Sequence, residues 1–556
     1  MCQQPQPSSA PNSEEGQGKR WKDGKIERWK DYRTKQKNLG NIYINMNRLL
    51  SLSAIILSSI GISAMEPEHT MLPDASDESY NDTIWLDHYE NKEVHLQRFN
   101  DTDTLVVTKP KWAAAILEDL GINAGILAFD RFVQNRDYAR VTGKTIKDNI
   151  NKGWVWDNDS FSGNQFSHPY HGAMFYNTAR ENGIGYYPSL LFPLIGSFTW
   201  EVFCETNRPA INDLLSTGVG GSAIGEVAHR VSDLIYDDSK TGVERIIREI
   251  SATFLNPVRG AKRLFSGEMW RRSASRGKTI EPQPYSLSIG LGDRIQFSSV
   301  HHEGTQNLPY IDFSLDYGEH FTNGKKVKPY ELFSLYVMAN LSSGSPSIGL
   351  LDIKGRLASL QLETKKGCRI DLGFYQMLRY LDSYGKDEQY SHDFPVISEA
   401  VSFGGGAYCE KDLGRNRLSN DLIVCTVPLG GANNENYPYR RYNFGYGFSI
   451  RNNVKMDIMK RLTIGNEFYM LRLFVPKKKS PEEIAYNSEV GMEIDEWGCA
   501  GETSVLSNRS YISARIAKGL NINMQYQIFY RHSDYKGFDE EHGRCHECKL
   551  GLFYSL

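Results

Sequence analysis

The sequence has no excess of charge of one sign, because 64 Lys and Arg stand against 67 Asp and Glu. A protein dedicated to nucleic acid needs a surplus of Lys and Arg to neutralise phosphates, so this balance argues against that class. The sequence also lacks a series of long uncharged segments, and its mean hydropathy of -0.48 excludes a polytopic helical membrane protein. Neither absence excludes a transmembrane β-barrel, in which only alternate strand residues are apolar.

Cysteine is scarce: eight residues in a chain of 556 are too few and too scattered for a disulfide framework. Cys545 and Cys548 form one CxxC pair without the second pair that would complete a zinc site. A local disulfide and two free thiols are the alternatives for this pair. We predict no metal and no other cofactor from the sequence.

The first 64 residues have the pattern of targeting information. Residues 1–45 are polar, without an apolar period, and are typical of a disordered tail. Residues 46–64 combine Arg48, an apolar stretch and the small residue Ala64, which is the pattern of a secretory signal peptide. We expect residues 1–45 to be an upstream extension of the gene model and residues 65–110 to begin the exported chain. The alternative is a cytoplasmic tail with a membrane anchor.

From residue 281 to residue 556, apolar residues occupy every second position of long runs. The clearest run places Tyr442, Phe444, Tyr446, Phe448 and Ile450 against polar residues and glycines, which predicts a strand with two different faces. Several runs reach the roughly 9–11 residues that a strand needs to cross a bilayer. Roughly twelve such runs predict an antiparallel transmembrane β-barrel with a polar lumen in a Gram-negative outer membrane. The alternative is a secreted soluble sandwich or barrel with shorter strands.

Residues 111–280 show helical spacing instead. Ile224, Val227, Ala228 and Val231 follow the i, i+3, i+4, i+7 pattern of an amphipathic helix. The dipeptide at 256–257, Asn-Pro, predicts the end of another helix. The whole chain is therefore predicted to have an α+β fold, with an N-terminal helical module followed by a C-terminal barrel.

Short polar motifs interrupt the apolar stripes of this module. They are HPY at 168–170, WE at 200–201, ND at 212–213, GE at 225–226 and NPxRG at 256–260. With these motifs, residues 150–275 resemble the bacterial domain-of-unknown-function 3943 family, whose members look like exported outer-membrane proteins. The resemblance implies an outer-membrane location and supplies no activity.

Two functions from different classes fit the polar residues. Glu201 and Glu205 are one helical turn apart, and such a pair, when buried, needs cations, protons or a metal. In the first hypothesis the protein is a structural or transport-related barrel whose helices plug the lumen or line its periplasmic mouth. In the second it is an envelope hydrolase that acts on lipid or glycan. The candidate catalytic residues are His168, Glu201, Glu205 and Glu226, and the candidate binding or structural residues are Asn164, Gln165, His171, Arg180, Trp200, Asn212, Asp213, His229, Arg230 and Arg259.

The geometry of these residues separates the two hypotheses. Convergence of the four catalytic candidates around an open site favours the hydrolase, whereas closed ion pairs with Arg180 and Arg230 favour the plug. The pair Glu226 and His229 puts two ligand types on one helical face, but helical carboxylate metal sites use two such pairs.

Other patterns concern the membrane and its lipids. His532 and Ser533 faintly resemble the His-x-Ser segment of lipid A deacylases, but adjacent strand residues point to opposite faces and do not form a proton-transfer pair. The basic segment at 259–278 is interpreted either as a contact for anionic lipid head groups or as a solvated linker. The expected partners are outer-membrane lipid, with lipopolysaccharide or glycan as candidate substrates, and no nucleic acid.

Overall fold

The computed structural model describes residues 84–85, 94–100, 103–298, 305–322, 327–342, 345–363, 367–383, 393–437, 441–476, 482–483 and 496–555. The predicted upstream extension and signal peptide lie outside the described residues. The described part of segment 65–110 contains a small antiparallel sheet of β1 (Ile84–Trp85), β2 (Val94–Asn100) and β3 (Asp103–Thr108).

Twelve strands in the described part of the chain form one closed antiparallel barrel. Strands that are consecutive in the chain are paired, and the last strand pairs with the first from Ser555↔Ser288 to Cys545↔Ser298. This confirms the predicted α+β fold with a C-terminal barrel, and closure leaves the sheet without edges. The strands are β4 (Tyr285–Ser298), β5 (Thr305–Tyr317), β6 (Phe333–Asn340), β7 (Ile348–Glu363), β8 (Cys368–Asp382), β9 (Val396–Leu413), β10 (Asn416–Asn433), β11 (Tyr442–Ile458), β12 (Leu462–Val475), β13 (Gly501–Arg515), β14 (Leu520–Tyr535) and β15 (Glu541–Ser555).

The two ends of the barrel differ in their connections. At the short-turn end, turns of two to four residues follow β7, β9, β11 and β13, and the first and last barrel residues, Tyr285 and Ser555, lie there. The turn after β9 contains Gly414 with a φ of +68°, a conformation that glycine adopts without strain. At the opposite, long-loop end, the connection from Val475 to Gly501 is the longest of the barrel. Outer-membrane barrels share this arrangement, with the short turns on the periplasmic side.

Side chains fill the barrel lumen. Arg451 on β11 bonds to Asp352 of β7 at 2.8 Å and to Glu399 of β9 at 2.7 Å. Tyr469 on β12 also donates to Glu399, at 2.8 Å. These strands are not neighbours in the barrel, so the bonds cross the lumen and confirm the predicted polar interior at this level. An apolar layer, which the sequence did not predict, also fills the lumen and includes Leu381, Ile397, Val427, Leu471, Leu473, Val505 and Phe529.

The outward faces of the strands carry exposed apolar side chains. On β8, Leu372 and Phe374 are 41% and 47% exposed, while the alternating residues Asp371 and Tyr375 are buried in the lumen. Members of the same outer surface on other strands are Leu291, Leu360, Val424, Ile464, Ile512, Met524, Leu550 and Leu552. The alternation predicted from the sequence is therefore real, with the polar face inside.

The CxxC pair is divided between the two faces of β15. Cys545 belongs to the apolar layer of the lumen, whereas Cys548 is exposed, and both are free thiols. Residues three apart in a strand point to opposite faces, so the alternative of two free thiols is the correct one.

The helical module occupies the chain before the barrel. Its second helix begins with a capping box, in which the Thr142 side chain accepts from the Thr145 amide and the Thr145 side chain accepts from the Thr142 amide. Its last helix begins at Pro257, and the Asn256 side chain accepts from the amide of Arg259. The helices are α1 (Trp112–Phe132), α2 (Gly143–Lys152), α3 (His168–Arg180), α4 (Tyr186–Ser189), α5 (Leu191–Phe203), α6 (Ile211–Leu215), α7 (Gly221–Ile235), α8 (Gly242–Leu255) and α9 (Pro257–Phe265), with π-helical turns at Gly163–Ser167 and Ser216–Gly220.

The module packs against the outside of the barrel wall. On β8, Arg379 points into the lumen toward Glu467 of β12, so Gln376, three residues earlier, points outward. Gln376 accepts hydrogen bonds from Tyr186 at 3.1 Å and donates one to Ser222 at 3.0 Å, both in the module. The outward face of the barrel therefore provides the docking surface.

Contacts at β11 lead to the same conclusion. Because Arg451 points into the lumen, Tyr442 and Phe444 on the same strand point outward. Asn164 of the module donates to the Tyr442 hydroxyl at 2.8 Å, and the Trp156 ring lies 5.3 Å from that of Phe444.

The prediction that the helices plug the lumen is wrong, because the contacts at β8 and β11 lie on the outward side of the wall. The module also reaches the short-turn end, where Arg230 donates to the carbonyl of Pro329 between β5 and β6. The prediction failed because it assigned the whole apolar outer face of the barrel to lipid, although part of that face binds the module.

Candidate functional site

Close packing of α3 against α7 brings the polar motifs of the module together. A Cβ at Gly172 on α3 would overlap the carbonyl oxygen of Thr217, and a Cβ at Gly221 would lie 2.5 Å from the Cα of Gly172. Only glycine permits this backbone approach. The π-helical turns before both helices supply the local widening that places His168 beside Thr217, with 3.4 Å between Nδ1 and Oγ1.

Carboxylates gather around His168 in what we call the acidic cluster, formed by Asp157, Asp159, His168, Glu201, Glu205 and Asp213. The His168 Nε2 atom lies 3.5 Å from Asp213 Oδ1. One ligand atom each from His168, Glu201 and Asp213 lies within 4.8 Å of the other two. The cluster is buried at Glu201 and Asp213 and reaches the surface at Asp159, which is exposed.

Neutral donors orient the carboxylates of this cluster. Asn164 and Asn212 donate to Asp157 Oδ1 at 2.7 and 2.9 Å. Asn212 also donates to Asp213 at 2.8 Å. The backbone amide of Ala210 donates to Glu201 Oε2 at 2.8 Å. These bonds fix the positions of the carboxylates without neutralising their charge.

The environment of the acidic cluster disfavours ionised carboxylates. Burial raises the pKa of Glu201 to about 8, and the negative charge of Asp157 adds to this shift. Burial, followed by the repulsion of neighbouring carboxylates, raises the pKa of Glu205 and that of Asp213 well above the ordinary values. Burial lowers the pKa of His168. Such a cluster holds protons at neutral pH unless a cation compensates its charge.

A second buried network surrounds Glu226 and has the opposite charge balance. Arg180 and Arg230 each bond to Glu226 at 2.8 Å, and the Tyr176 hydroxyl donates to it at 2.8 Å. Although burial acts in the opposite direction, the two guanidinium groups lower the pKa of Glu226 to about 2. We call these four residues the Glu226 network. It is a set of closed ion pairs.

His229 belongs to a third set of contacts. Its Nδ1 atom lies 2.6 Å from Glu181, and Asn256 donates to the same carboxylate oxygen at 2.8 Å. Arg259 bonds to Asp233 at 2.7 Å and lies 3.5 Å from Glu181. Glu226 and His229, which share a helical face, therefore bind different partners and form no joint metal site.

The structure divides the residues selected from the sequence. His168, Glu201, Glu205 and Asp213 converge, whereas Glu226 belongs to the ion pairs that favoured the alternative hypothesis. Asn164 and Asn212 orient the acidic cluster. Gln165 accepts from Ser398 of the barrel wall, and the rings of His171 and Trp200 contact each other beside the cluster. The two sets of ion pairs contain the remaining candidates, which are Arg180, His229, Arg230 and Arg259.

Sequence reasoning missed Asp157, Asp159 and Thr217. The two aspartates lie in the sequence WDND at 156–159, which has no helical or strand period. The dense group of carboxylates and amides before the HPY motif was the sequence signal for the two aspartates, and no sequence signal pointed to Thr217.

His532 and Ser533 lie on opposite faces of β14, as their adjacent positions in a strand predict. Ser533 is buried and lies 2.8 Å from the Thr503 hydroxyl. His532 is on the outward face, where it forms a partly exposed group with Glu540 and His542 whose ligand atoms lie within 4.8 Å of one another. The lipid A deacylase resemblance therefore does not extend to a catalytic site.

Residues 153–258 match the family model for the domain of unknown function DUF3943. This confirms the resemblance found in the sequence. The DUF3943 segment contains every member of the acidic cluster and of the Glu226 network.

Comparisons with whole chains add fold likenesses of low TM-score. Half or slightly less of this chain aligns with nearly all of several membrane proteins of known structure. For the NanC porin the identity is 9%, the coverage 48% of this chain and 100% of that chain, and the TM-score 0.24. The KdgM porin is 13% identical, with 48% of this chain and 99% of that chain covered and a TM-score of 0.22. The COG4313 outer membrane channel from Pseudomonas putida F1 is 7% identical, with 50% of this chain and 97% of that chain covered and a TM-score of 0.25. The comparison with curated proteins found no match.

Proposed function

We propose that the chain is an outer-membrane protein in which the barrel is a support and the helical module is an envelope hydrolase acting on lipid. The observation that carries this proposal is the position of the acidic cluster. It lies in a module that is seated on the outward face of the barrel, where the substrate of a lipid hydrolase would be.

The exposed apolar surface supports a position in the bilayer. The outward strand faces present Leu372, Phe374 and their counterparts, and this surface continues onto the module. On α5, Leu191, Ile195 and Phe198 are 55%, 55% and 46% exposed at i, i+4 and i+7, which forms one apolar stripe. Soluble proteins rarely expose apolar patches of this extent.

Helix α1 adds to the same surface. It spans Trp112–Phe132 and is long and apolar enough by length and composition to cross a membrane, with 17% of its most apolar window buried. Leu117 and Phe132 on this helix are 69% and 77% exposed. Lipid is the solvent that such side chains require, so the module is proposed to contact the bilayer alongside the barrel.

The packed lumen favours a support over a transporter. The bonds of Arg451 with Asp352 and Glu399 cross the interior, and an apolar layer fills it at another level. A conducting barrel of this class needs a polar, water-filled path. The structural hypothesis therefore applies to the barrel, and the hydrolase hypothesis applies to the module.

The acidic cluster has the groups that ester hydrolysis requires. A carboxyl group whose pKa is raised toward neutrality by burial, such as Glu201, can exchange protons with water or with a leaving group near pH 7. Asp213 and His168 lie beside it and would position a water molecule. Glu201 and Asp213 are buried, and the His168 ring, which is 18% exposed, is the part of this set that solvent reaches.

The location of the cluster indicates which leaflet supplies the substrate. Asp157 shares its donor Asn164 with Tyr442, the first residue of β11 at the long-loop end of the barrel. That end faces outward in outer-membrane barrels. We propose the acyl or phosphate esters of outer-leaflet lipid, including lipopolysaccharide, as substrates, with glycan as the alternative.

The activity is tested with the full chain purified in detergent. It is incubated with vesicles of outer-membrane phospholipid or with lipopolysaccharide, and products are identified by mass spectrometry. We expect product from the wild type and at least a hundredfold less from Glu201→Gln and Asp213→Asn, the usual scale for loss of a general acid or base. Glu118→Gln, a matched change in the same module at a residue paired with Lys262, should retain activity.

Two further measurements test the proposed support role. Fractionation should place the chain in the outer membrane, with heat-modifiable gel migration, and planar bilayers should show no steady conductance. A soluble, detergent-free monomer would contradict the location. Stable open channels would contradict the assignment of the barrel as a support.

A further inference from the structure

We propose that His168, Glu201 and Asp213 bind one divalent transition-metal ion, with Glu205 and Asp157 beside it. This inference rests on the proposed function and deepens the chemistry of the same site. With an ion bound, Glu201 would be a ligand, and the exchange of protons would pass to Glu205 or Asp157 beside the ion. The evidence for the ion is separate, however, because it depends on the donor atoms and on charge compensation.

The first argument is an orphaned oxygen. Glu201 is 1% exposed, its Oε2 atom accepts from the Ala210 amide, and its Oε1 atom has no N–H or hydroxyl donor among the residues that the structure describes. The neighbouring carboxyl group of Glu205 forms a hydrogen bond with Glu201 only when the pair holds a proton. A buried carboxylate oxygen without a partner has a large desolvation cost. The ligand atoms of His168 and Asp213 lie within 4.8 Å of that of Glu201, so a cation between the three would remove this cost.

The second argument is the charge balance. Glu226, also fully buried, contacts two arginines and a tyrosine hydroxyl. The neighbouring charges that act most strongly on Glu205 and Asp213 are other carboxylates. Among the described residues, arginines therefore surround Glu226, whereas carboxylates are the strongest neighbouring charges at Glu205 and Asp213. A metal ion supplies the missing positive charge.

The third argument is the geometry of the donors. Around a transition metal, nitrogen and oxygen ligands lie about 2.0–2.2 Å from the ion, so two of them are at most about 4 Å apart. The spacing in the cluster, with no pair above 4.8 Å, needs only a small side-chain adjustment to reach this. One imidazole among carboxylates favours ions such as Zn²⁺ or Mn²⁺ over Mg²⁺ and Ca²⁺.

Outer contacts hold each proposed ligand in place. Thr217 Oγ1 lies 3.4 Å from His168 Nδ1, which leaves Nε2 for the ion. Asn212 donates to Asp213, and the Ala210 amide donates to Glu201. Partners of this kind orient the ligands of metal sites. The rival arrangement is a metal-free cluster in which protons shared between the carboxyl groups replace the ion.

The test measures metal binding by the full chain in detergent, without any substrate. The protein is stripped with a chelator, dialysed against Zn²⁺ or Mn²⁺ alone, and its metal content is determined by mass spectrometry. All variants carry His542→Ala, which removes the partly exposed group on β14 and β15 as a second source of binding. We expect about one ion per chain in this background and a loss of affinity of more than tenfold with Glu201→Gln or Asp213→Asn. The matched variant Glu118→Gln should still bind one ion.

Thermal unfolding gives a second readout with opposite signs for the two arrangements. With a metal site, the ion raises the Tm of the His542→Ala protein but not that of the Glu201→Gln variant. In chelator, Glu201→Gln should then be at least as stable as its parent, because it removes one uncompensated carboxylate. A proton-sharing cluster predicts no effect of metal or chelator on either protein.

Three results of the binding and unfolding measurements overturn the inference: no ion bound, binding that survives both substitutions, or Tm values insensitive to metal and chelator. If Glu201→Gln does not fold, Asp213→Asn and the chelator response of the parent still decide the question. Lipid hydrolysis by metal-free protein would overturn the metal site and leave the proposed function intact. Metal binding without hydrolysis of any tested lipid would support the metal site and contradict the proposed function.

Discussion

The acidic cluster and the Glu226 network lie in the same module and are both buried, yet their chemistry is opposite. Glu226 is held by two guanidinium groups, which keep its pKa at about 2 in spite of burial. In the part of the chain that the structure describes, no guanidinium group pairs with Glu201, and burial raises its pKa to about 8. Burial of a glutamate alone therefore says little about function. The partners decide whether the residue stabilises the fold or is available for chemistry.

The comparison also indicates how the module keeps the acidic cluster in place although its buried carboxylates destabilise the fold. Buried ion pairs stabilise little relative to apolar packing, but they are strongly destabilising when one partner is lost. The Glu226 network joins α3 to α7 through Arg180 and Tyr176 of α3, whereas Arg230 lies on α7 together with Glu226. These are the two helices whose close approach positions the acidic cluster. We infer that the Glu226 network stabilises the packing of α3 against α7 on which the acidic cluster depends.

The largest expected effect is the loss of Glu226. Glu226→Gln leaves Arg180 and Arg230 buried without their charge partner, so it should lower the free energy of unfolding of the module by about 3–5 kcal/mol. Urea unfolding in detergent, followed by the helical circular dichroism signal, measures this. Glu244→Gln, at a partly exposed pair with Arg248, should cost less than about 1 kcal/mol. Equal stability of Glu226→Gln and wild type would remove the contrast between the two networks.

Acid should reduce the difference in unfolding free energy between the wild type and Glu226→Gln. Since the pKa of Glu226 is lowered to about 2 in the folded state from an ordinary value of 4.5, its contribution is complete above pH 4.5. The contribution then falls as the pH drops toward 2, because the folded carboxylate takes up its proton. The stability gap between wild type and Glu226→Gln should therefore close over this range. A gap that stays constant from pH 7 to pH 2.5 would contradict the ion-pair account.

The fold was largely predictable from the sequence, because strand alternation is a local property. Tyr442 and Phe444 do point outward, as the pattern predicted. The pattern does not state what covers an outward residue, however. Ile353 is buried under the module, whereas Leu372 is 41% exposed, although both are apolar residues on outward faces. For this reason the sequence did not predict that the module lies on the outward face of the barrel.

The site was predictable only in part, because its members come from distant segments. Local motifs identified His168, Glu201 and Asp213. The spacing of Glu226 and His229 suggested a joint site, but a helical wheel does not show Arg180, which lies 46 residues before Glu226 and binds it. Asp157 lies in a segment without periodicity. Its role follows from hydrogen bonds to Asn164 and Asn212, which only the tertiary structure shows.

A change at Gly172 tests whether the close approach of α3 and α7 sets the geometry of the acidic cluster. In Gly172→Ala the new methyl group meets the Thr217 carbonyl, so α3 and α7 must move apart, at a cost of about 3 kcal/mol. The Thr217 contact with His168 is lost first, and metal binding should fall more than tenfold. Gly143→Ala, where a Cβ would have no neighbour within 4 Å, is the control. Unchanged metal content in Gly172→Ala would show that the close approach does not set the site.

The smallest effect concerns the contact between module and wall on which both networks depend. Gln376→Leu suits an outward barrel face but leaves the hydroxyls of Tyr186 and Tyr330 without their acceptor, which should cost about 1–2 kcal/mol. We expect faster proteolysis between the module and β4, with the heat-modifiable migration of the barrel unchanged. Phe374→Leu, on the same strand face but 47% exposed, should not change the cleavage rate. If both variants are cut at the wild-type rate, the barrel wall does not hold the module, and the acidic cluster loses its proposed place at the lipid surface.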